Sequence, residues 1–372
     1  MPVQSKADLK AFIDLPWQIE AYRNDPHWVP PLRDELRKAL DKSKHPYHQH
    51  AESAYFLARK NDKIVGRITA TVNRAFNEFH ETTVGHFGFF ESVDDQSVAD
   101  ALLEMARDWV GERGMTSVEG PYNFSTNDEF SSPGILVEGF DTPPTMLMSH
   151  NPPYYQKLIE NAGFTKVKDL LAYWCDMTEM SQHLAKGVAR IGRSSNVRLR
   201  ALNLKDLDNE INRIKEIYNS AWERNWGFVP MTEAEFDYMA KSIKPIVNPK
   251  LCVIAEVEGE PVGFALQLPD YNVAFKHMDG RMLPFGWAKF LWYKRKIHHT
   301  RVITMGVKPE YRKKALDAML IMQLQVESSK YDMARGECSW ILEDNMPMRR
   351  GMERVNGYVY KTYRVYAKPT EQ

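Results

Sequence analysis

The stretch RVITMGVKPEYRKKALDAML has the outline of a phosphate-binding turn. An apolar strand leads in, Pro309 breaks it, Lys308, Arg312, Lys313 and Lys314 cluster around it, and a helical pattern leads out. A helix N-terminus presents unpaired N–H groups and roughly half a positive charge, which suits phosphate oxygens. The glycines usual in such a turn are missing, so the segment reads either as an anion site built on charge or as a solvated basic turn. Three further stretches carry candidate chemistry. In HPYHQH, the residues His45, His48 and His50 have no helical i, i+4 pair and no acidic partner in register, so no metal site is expected. The excursion GPYNFSTNDEFSSPGILVEGFDTPP is long, polar and aromatic, and its Asn123, Asn127, Asp128 and Glu129 are candidates for binding a substrate. The segment from Gly280 to His299 sets Met282, Leu283, Phe285, Trp287, Phe290, Leu291, Trp292 and Tyr293 beside Lys289, Lys294, Arg295 and Lys296. Apolar aromatics flanked by cations suit an interfacial helix, a gate for a long apolar ligand that would use Phe285 and Trp287, or a helix that covers the core.

These residues need elements to hold them, and an internal repeat supplies the plan. Asn151, Pro153 and Gly163 match Asn345, Pro347 and Gly357 at a common offset of 194 residues. Ala58, Val65 and Gly66 match Ala255, Val262 and Gly263 at an offset of 197. The first half reads as a hairpin turning at Asn61-Asp62, a strand at VGHFGFF, and a helix burying Val98, Ala101, Leu102, Met105 and Trp109. A strand (TSVEGPYNF), the excursion, a strand (TMLMSHN), a helix ended by Gly163 and a last strand follow. The second half reads alike, with helix DLDNEINRIKEIYNSAW, hairpin LCVIAEVEGEPVGFALQL, strand RVITMGV, helix ALDAMLIMQLQVES, strand ARGECSWILEDN, helix MPMRRGMERVNG and strand YKTYRVYAK. Strands alternating with helices give an α/β (α+β) fold of two domains, at 1–176 and 196–372, with the Gly/Ser-punctuated 177–195 as linker.

In this form the chain resembles the GNAT acyltransferase superfamily, duplicated. VGFALQLPD, VITMGVKPEYRKKALDAML and ILEDNMPMRRGMERVNGY carry the resemblance in the second half, and HNPPYYQKLIENAGF carries it in the first. The resemblance implies two mixed, mostly antiparallel sheets flanked by helices. It also implies acyl-CoA or acetyl-CoA as co-substrate and N-acyl transfer to an amine; no metal is expected, and the aromatic segment from Gly280 to His299 makes a lipid amine an option beside a small-molecule one. The family loop is R-x-x-G-x-G/A; here Arg312 holds the first position, and Ala315 and Asp317 stand at the small ones. A left-handed Ala315 would cost about 1 kcal/mol. Met305, Val307, Arg312, Lys313, Lys314 and Ala315 are the expected cofactor contacts. Glu353 stands where many relatives place a tyrosine acid. That leaves Glu343 as a base or as a mere helix-cap partner, with Asn345 as a hydrogen-bond donor to the cofactor arm. Tyr358, Tyr360, Tyr363 and Tyr366 are nearby hydroxyls, expected mostly to pack. In the first half Glu91, Asp94 and Asp95 occupy the equivalent loop, so only the second half is expected to bind CoA. The rival readings are a degenerate pair that only binds or scaffolds, and an aminoacyl transferase that uses tRNA.

Acidic and basic residues balance at 49 each, which gives no field selecting nucleic acid. Three separated cysteines fit a reducing compartment, and neither a signal-peptide core nor a membrane-length apolar run is present. A cytoplasmic protein is expected, with peripheral membrane contact through 280–299 as an option.

Overall fold

The structure, a computed structural model, describes residues 1–125, 133–176, 196–223 and 225–370. The linker expected at 177–195 and the candidates Asn127, Asp128 and Glu129 lie outside them. The chain packs as two units: unit 1 is Met1–Leu170, Asn272–Lys294 and Lys361–Gln372, and unit 2 is Leu171–Tyr271 and Arg295–Tyr360. These units differ from the sequence halves, because the aromatic insertion and the C-terminal strand pack with unit 1.

Three helices open the chain: α1 (Lys6–Asp14), α2 (Glu20–Asn24) and α3 (Arg33–Ala39). The first repeat follows with β1 (Ala51–Lys60), β2 (Lys63–Asn73), α4 (Arg74–His80), β3 (Val84–Ser92), α5 (Gln96–Gly111) and β4 (Ser117–Gly120). It closes with β5 (Ile135–Glu138), α6 (Tyr155–Asn161) and β6 (Thr165–Asp176). The second repeat has β7 (Val197–Ala201), α7 (Leu207–Trp222), α8 (Glu233–Ile243), β8 (Cys252–Val257) and β9 (Glu260–Pro269). The inserted α9 (Asn272–Phe275) and α10 (Gly286–Tyr293) precede β10 (His299–Val307), α11 (Leu316–Ser329), β11 (Arg335–Leu342), α12 (Met346–Arg354) and β12 (Tyr358–Pro369).

In unit 1 the strand order is β1-β2-β3-β4-β12, with β5 also paired to β12. The β1–β2 hairpin turns through Asn61 and Asp62, both at positive φ (49° and 60°), the conformation a two-residue hairpin requires. Helix α5 buries Val98, Ala99, Leu102, Leu103, Ala106 and Val110 on the sheet. The face expected from sequence is rotated from this one: Ala101 and Met105 are exposed. Trp109 lies partly buried under Arg113, whose guanidinium sits 3.6 Å from its ring. The strand expected at TMLMSHN does not form, because Leu147 turns at φ 64°. Asn151 takes over a strand's role there: its side-chain amide accepts from the Leu136 N–H (2.7 Å) and donates to the Leu136 carbonyl (3.2 Å), as a pairing backbone would.

In unit 2 the order is β11-β10-β9-β8-β7. The β10–β11 pair is parallel and the others are antiparallel. Leu316, Met319, Leu320 and Leu324 of α11 fill one face against Val253, Ala255, Val262 and Ala265. Ile217 and Trp222 of α7 meet Ile254 and Phe264 on the other face. Among the described residues no helix is long and apolar enough to cross a membrane.

Candidate functional site

After β10 the chain makes a tight 3-10 turn over Pro309–Lys314 and then enters α11. Ala315 sits between them in the left-handed region (φ 53°, ψ 29°), so the strain anticipated for a non-glycine residue here is present. Among the described residues no side chain caps the N-terminus of α11. A helix start without a side-chain cap leaves first-turn amides that an anion can satisfy. Two of the cations expected to serve a phosphate are used otherwise. Lys308 is buried, with its ammonium 2.6 Å from Glu216 Oε1 and 2.9 Å from Glu260 Oε1. Arg312 donates to the carbonyls of Ala221 (2.6 Å) and Val307 (3.4 Å), which fastens the turn to the end of α7. The side chains of Lys313 and Lys314 lie outside the described ones.

Beside this turn the two central strands part. The parallel ladder pairs His299–Val302 with Arg335–Cys338 and ends there, although β10 runs on to Val307 and β11 to Leu342. A bulge between Val302 and Thr304 interrupts the β9 ladder at the same level, a device that recurs next to active sites. Thr304, just past it, has a buried hydroxyl without a hydrogen-bond partner.

A buried polar cluster stands where the strands diverge. Arg301 of β10 and Glu337 of β11 are opposite one another in register, and Glu337 is fully buried. The guanidinium lies 3.5 Å from Glu337 Oε1 and donates to Ser339 Oγ at 2.8 Å. The Ser339 hydroxyl donates to Glu337 Oε1, and the Tyr360 hydroxyl donates to Glu337 Oε2. The Trp174 ring touches both Tyr360 (5.6 Å between centroids) and His299 (5.5 Å), and His299 Nε2 lies 2.7 Å from Asp270 Oδ2. A carboxylate with a tyrosine hydroxyl on one oxygen and a guanidinium beside the other is equipped to move a proton.

The other expected site residues fall in several places. Met305 and Val307 turn their side chains into the core under α11, which leaves only their backbone for a ligand. Glu343 lies in the turn after β11, and its carbonyl accepts from Arg349 at 2.7 Å. Asn345 is the N-cap of α12, with its side-chain oxygen accepting the Met348 N–H at 3.3 Å. Tyr358 is exposed; Tyr363 and Tyr366 are buried in unit 1. Phe285 and Trp287 are exposed on unit 1. Sequence reasoning missed Arg301 and Glu337. The available signal was Glu337 itself, the one acid of the strand RGECSWIL, set between Gly336 and Cys338.

Unit 1 closes each feature that unit 2 leaves open. His86 and Glu119 are opposite one another on the parallel β3 and β4, as Arg301 and Glu337 are in unit 2. Past them the strands do not part: the Tyr122 N–H donates to the Phe87 carbonyl (2.7 Å), and Asn123 Oδ1 accepts the Phe89 N–H (2.8 Å). Asn123, a candidate for the acceptor site, thus ties two strands together. The N-terminus of α5 is capped by Asp95, whose carboxylate accepts the Ser97 N–H. Glu91 is engaged rather than repelling, held by the hydroxyls of Tyr22 (2.8 Å) and Tyr155 (2.7 Å) and by Arg67 (3.3 Å). His45, His48 and His50 pack against aromatic rings, and burial pushes the His48 imidazole down to about 4. Among the described residues no group of three or more His, Cys, Asp or Glu is arranged to hold a metal ion.

Burial also pushes the Glu119 carboxyl above its ordinary value, against the hydrogen bond from Tyr122. A carboxyl raised in the fold makes its charge unfavourable there, so stability falls as pH rises from the unfolded value through the folded one. Glu119→Gln keeps an acceptor for Tyr122 and removes the charge. The variant should therefore melt above the parent at neutral pH, and the difference should close as pH falls through the carboxylate range.

Comparisons with known proteins agree with this architecture. The chain is 40% identical over 375 residues to a protein of Caulobacter vibrioides (strain NA1000 / CB15N) named bacterial ceramide synthase, covering 99% of this chain and 96% of that one. It is 37% identical to Protein YghO of Escherichia coli (strain K12), covering 98% and 93%. Among solved structures it is similar in fold to a tandem GNAT protein from the clavulanic acid biosynthesis pathway, with a TM-score of 0.58 and 12% identity, covering 100% of this chain and 98% of that one. No family model matches the sequence.

Proposed function

Because the chain belongs to the tandem GNAT acyltransferases, we propose that it transfers a fatty acyl group from acyl-CoA to the amine of a long-chain amino alcohol, in unit 2. The observation that carries this reading is the pairing, among the described residues in unit 2 alone, of parted strands with a helix end that no side chain caps. Parted strands let a pantetheine arm lie between them and use backbone groups released from the ladder. The uncapped amides of α11 suit the pyrophosphate. The name of the Caulobacter relative favours the acceptor class, since a ceramide is an N-acylated long-chain amino alcohol.

The reaction needs a neutral amine and a proton for the departing sulfur. Glu337 takes a proton from the acceptor ammonium, directly or through the Tyr360 hydroxyl. The freed nitrogen attacks the thioester carbon, the C–N bond forms and the C–S bond breaks. The ammonium gives up two protons in all: one ends on the thiol sulfur, delivered from the Tyr360–Glu337 pair, and the other goes to solvent. Arg301 and Ser339 hold the Glu337 carboxylate in place. This assignment sets Glu337 in the role considered for Glu343, and Tyr360 in the role that Glu353 cannot fill.

Incubating the purified protein with palmitoyl-CoA and a long-chain 2-amino alcohol tests the reading. Thiol release should match amide formation one to one by mass spectrometry. Release without amide would leave a thioesterase, and neither product would leave a binding protein.

A further inference from the structure

Helix α10 is apolar on both of its faces. Gly286, Phe290 and Tyr293 turn inward: Phe290 stacks on Phe275 (5.9 Å) and Tyr293 on His277 (3.6 Å). Trp287 and Leu291, one turn apart, share the opposite arc with Trp292. These stay in solvent, with Trp287 51%, Leu291 50% and Trp292 61% exposed. The loop before the helix adds Leu283 at 74% and Phe285 at 72%. A helix that is hydrophobic all round is normally buried on all sides, so one bare face asks for an occupant.

The segment is anchored firmly enough to present that face. The Arg33 N–H donates to the Gly280 carbonyl (3.0 Å), and the Arg33 guanidinium donates to the Asp279 carbonyl and lies 3.5 Å over the Trp17 ring. Trp17 Nε1 donates to Asp279 Oδ1 at 2.7 Å. Around the face stand the exposed cations Arg281, Lys289 and Lys294, and no Asp or Glu occurs from Gly280 to His299.

We propose that the Met282–Trp292 face of unit 1 docks on an anionic lipid bilayer, with Leu283, Phe285, Trp287, Leu291 and Trp292 entering the interface and Arg281, Lys289 and Lys294 pairing with lipid phosphates. Aromatics at the headgroup level with flanking cations are what such an interface binds, and each cation near an anionic leaflet adds attraction. A second copy of the chain fits less well. A symmetric pair would set the same three cations against their own copies, with no acid in the segment to offset them.

Vesicle co-sedimentation tests this without reference to acyl transfer. Wild-type protein should bind vesicles of phosphatidylcholine mixed with phosphatidylglycerol at least tenfold more strongly than vesicles of phosphatidylcholine alone, and added salt should weaken that binding. The triple substitution Phe285→Ser, Trp287→Ser and Leu291→Ser should lower binding at least tenfold and keep the melting temperature, since all three side chains are already exposed. Three results would overturn the proposal: no binding to anionic vesicles, equal binding by parent and triple variant, or a concentration-dependent dimer that the substitutions dissociate.

Discussion

Glu337→Gln is expected to lower kcat for amide formation by about 10²–10⁴-fold, the usual contribution of a positioned acid or base. The affinity for acyl-CoA should change little, because the carboxylate acts on the acceptor proton. Glutamine matches the shape of glutamate but keeps an acceptor oxygen for only one of Tyr360 and Ser339, which donate to different oxygens, and it leaves the buried Arg301 without a counter-charge. Breaking a buried pair in this way costs about 3–5 kcal/mol, so the melting temperature should fall as well. Tyr360→Phe separates chemistry from folding, since it removes only one hydroxyl from a carboxylate that keeps Arg301 and Ser339. That variant should stay folded, keep KM and lose kcat. Unchanged kcat in a folded Tyr360→Phe protein, with Glu337→Gln also active, would move the proton chemistry out of this cluster.

The second large effect lies in unit 1 and concerns stability. A Cβ added at Gly88 would stand 1.6 Å from the Tyr122 carbonyl oxygen, because the backbone there has closed the space between β3 and β4. Neither atom is the flexible end of a side chain, so accommodation must move a strand. Gly88→Ala should therefore destabilise the protein by about 3 kcal/mol or more, at the upper end of overpacking effects. A chemical denaturation curve reads this directly. A stable Gly88→Ala protein would mean that the strands of unit 1 open readily, and that the contrast between the two units is weaker than their hydrogen bonds imply.

Much of the fold was legible because it is written in local chemistry. Asn61-Asp62 demanded a tight hairpin, Gly163 ended a helix in the left-handed region (φ 82°), and the matched blocks announced a duplication. Non-local features were not legible. The side chain of Asn151 stands in for a strand, so TMLMSHN was misread as one. The place of Lys361–Pro369 of β12 in unit 1 follows from pairing with β4 and β5, far away in sequence. In the candidate site, the loop stood out by its cations, of which Lys308 meets carboxylates and Arg312 meets carbonyls. Glu337 escaped notice because a single acid in a strand carries no spacing signal. Only the register that sets it opposite Arg301, and Glu119 opposite His86, gives it a meaning.

The central claim is that one acyl-CoA binds per chain, at the uncapped end of α11. Ala315→Asp tests it most directly, because it gives α11 the carboxylate that Asp95 already gives α5. Aspartate tolerates the left-handed conformation better than alanine does and favours a helix N-terminus, so the variant should melt no lower than the parent. The same carboxylate repels a pyrophosphate at contact distance. Calorimetric titration with palmitoyl-CoA should give a stoichiometry of one for the parent and at least a hundredfold weaker binding for Ala315→Asp. Two sites per chain in the parent, or unaltered affinity in the variant, would contradict the account.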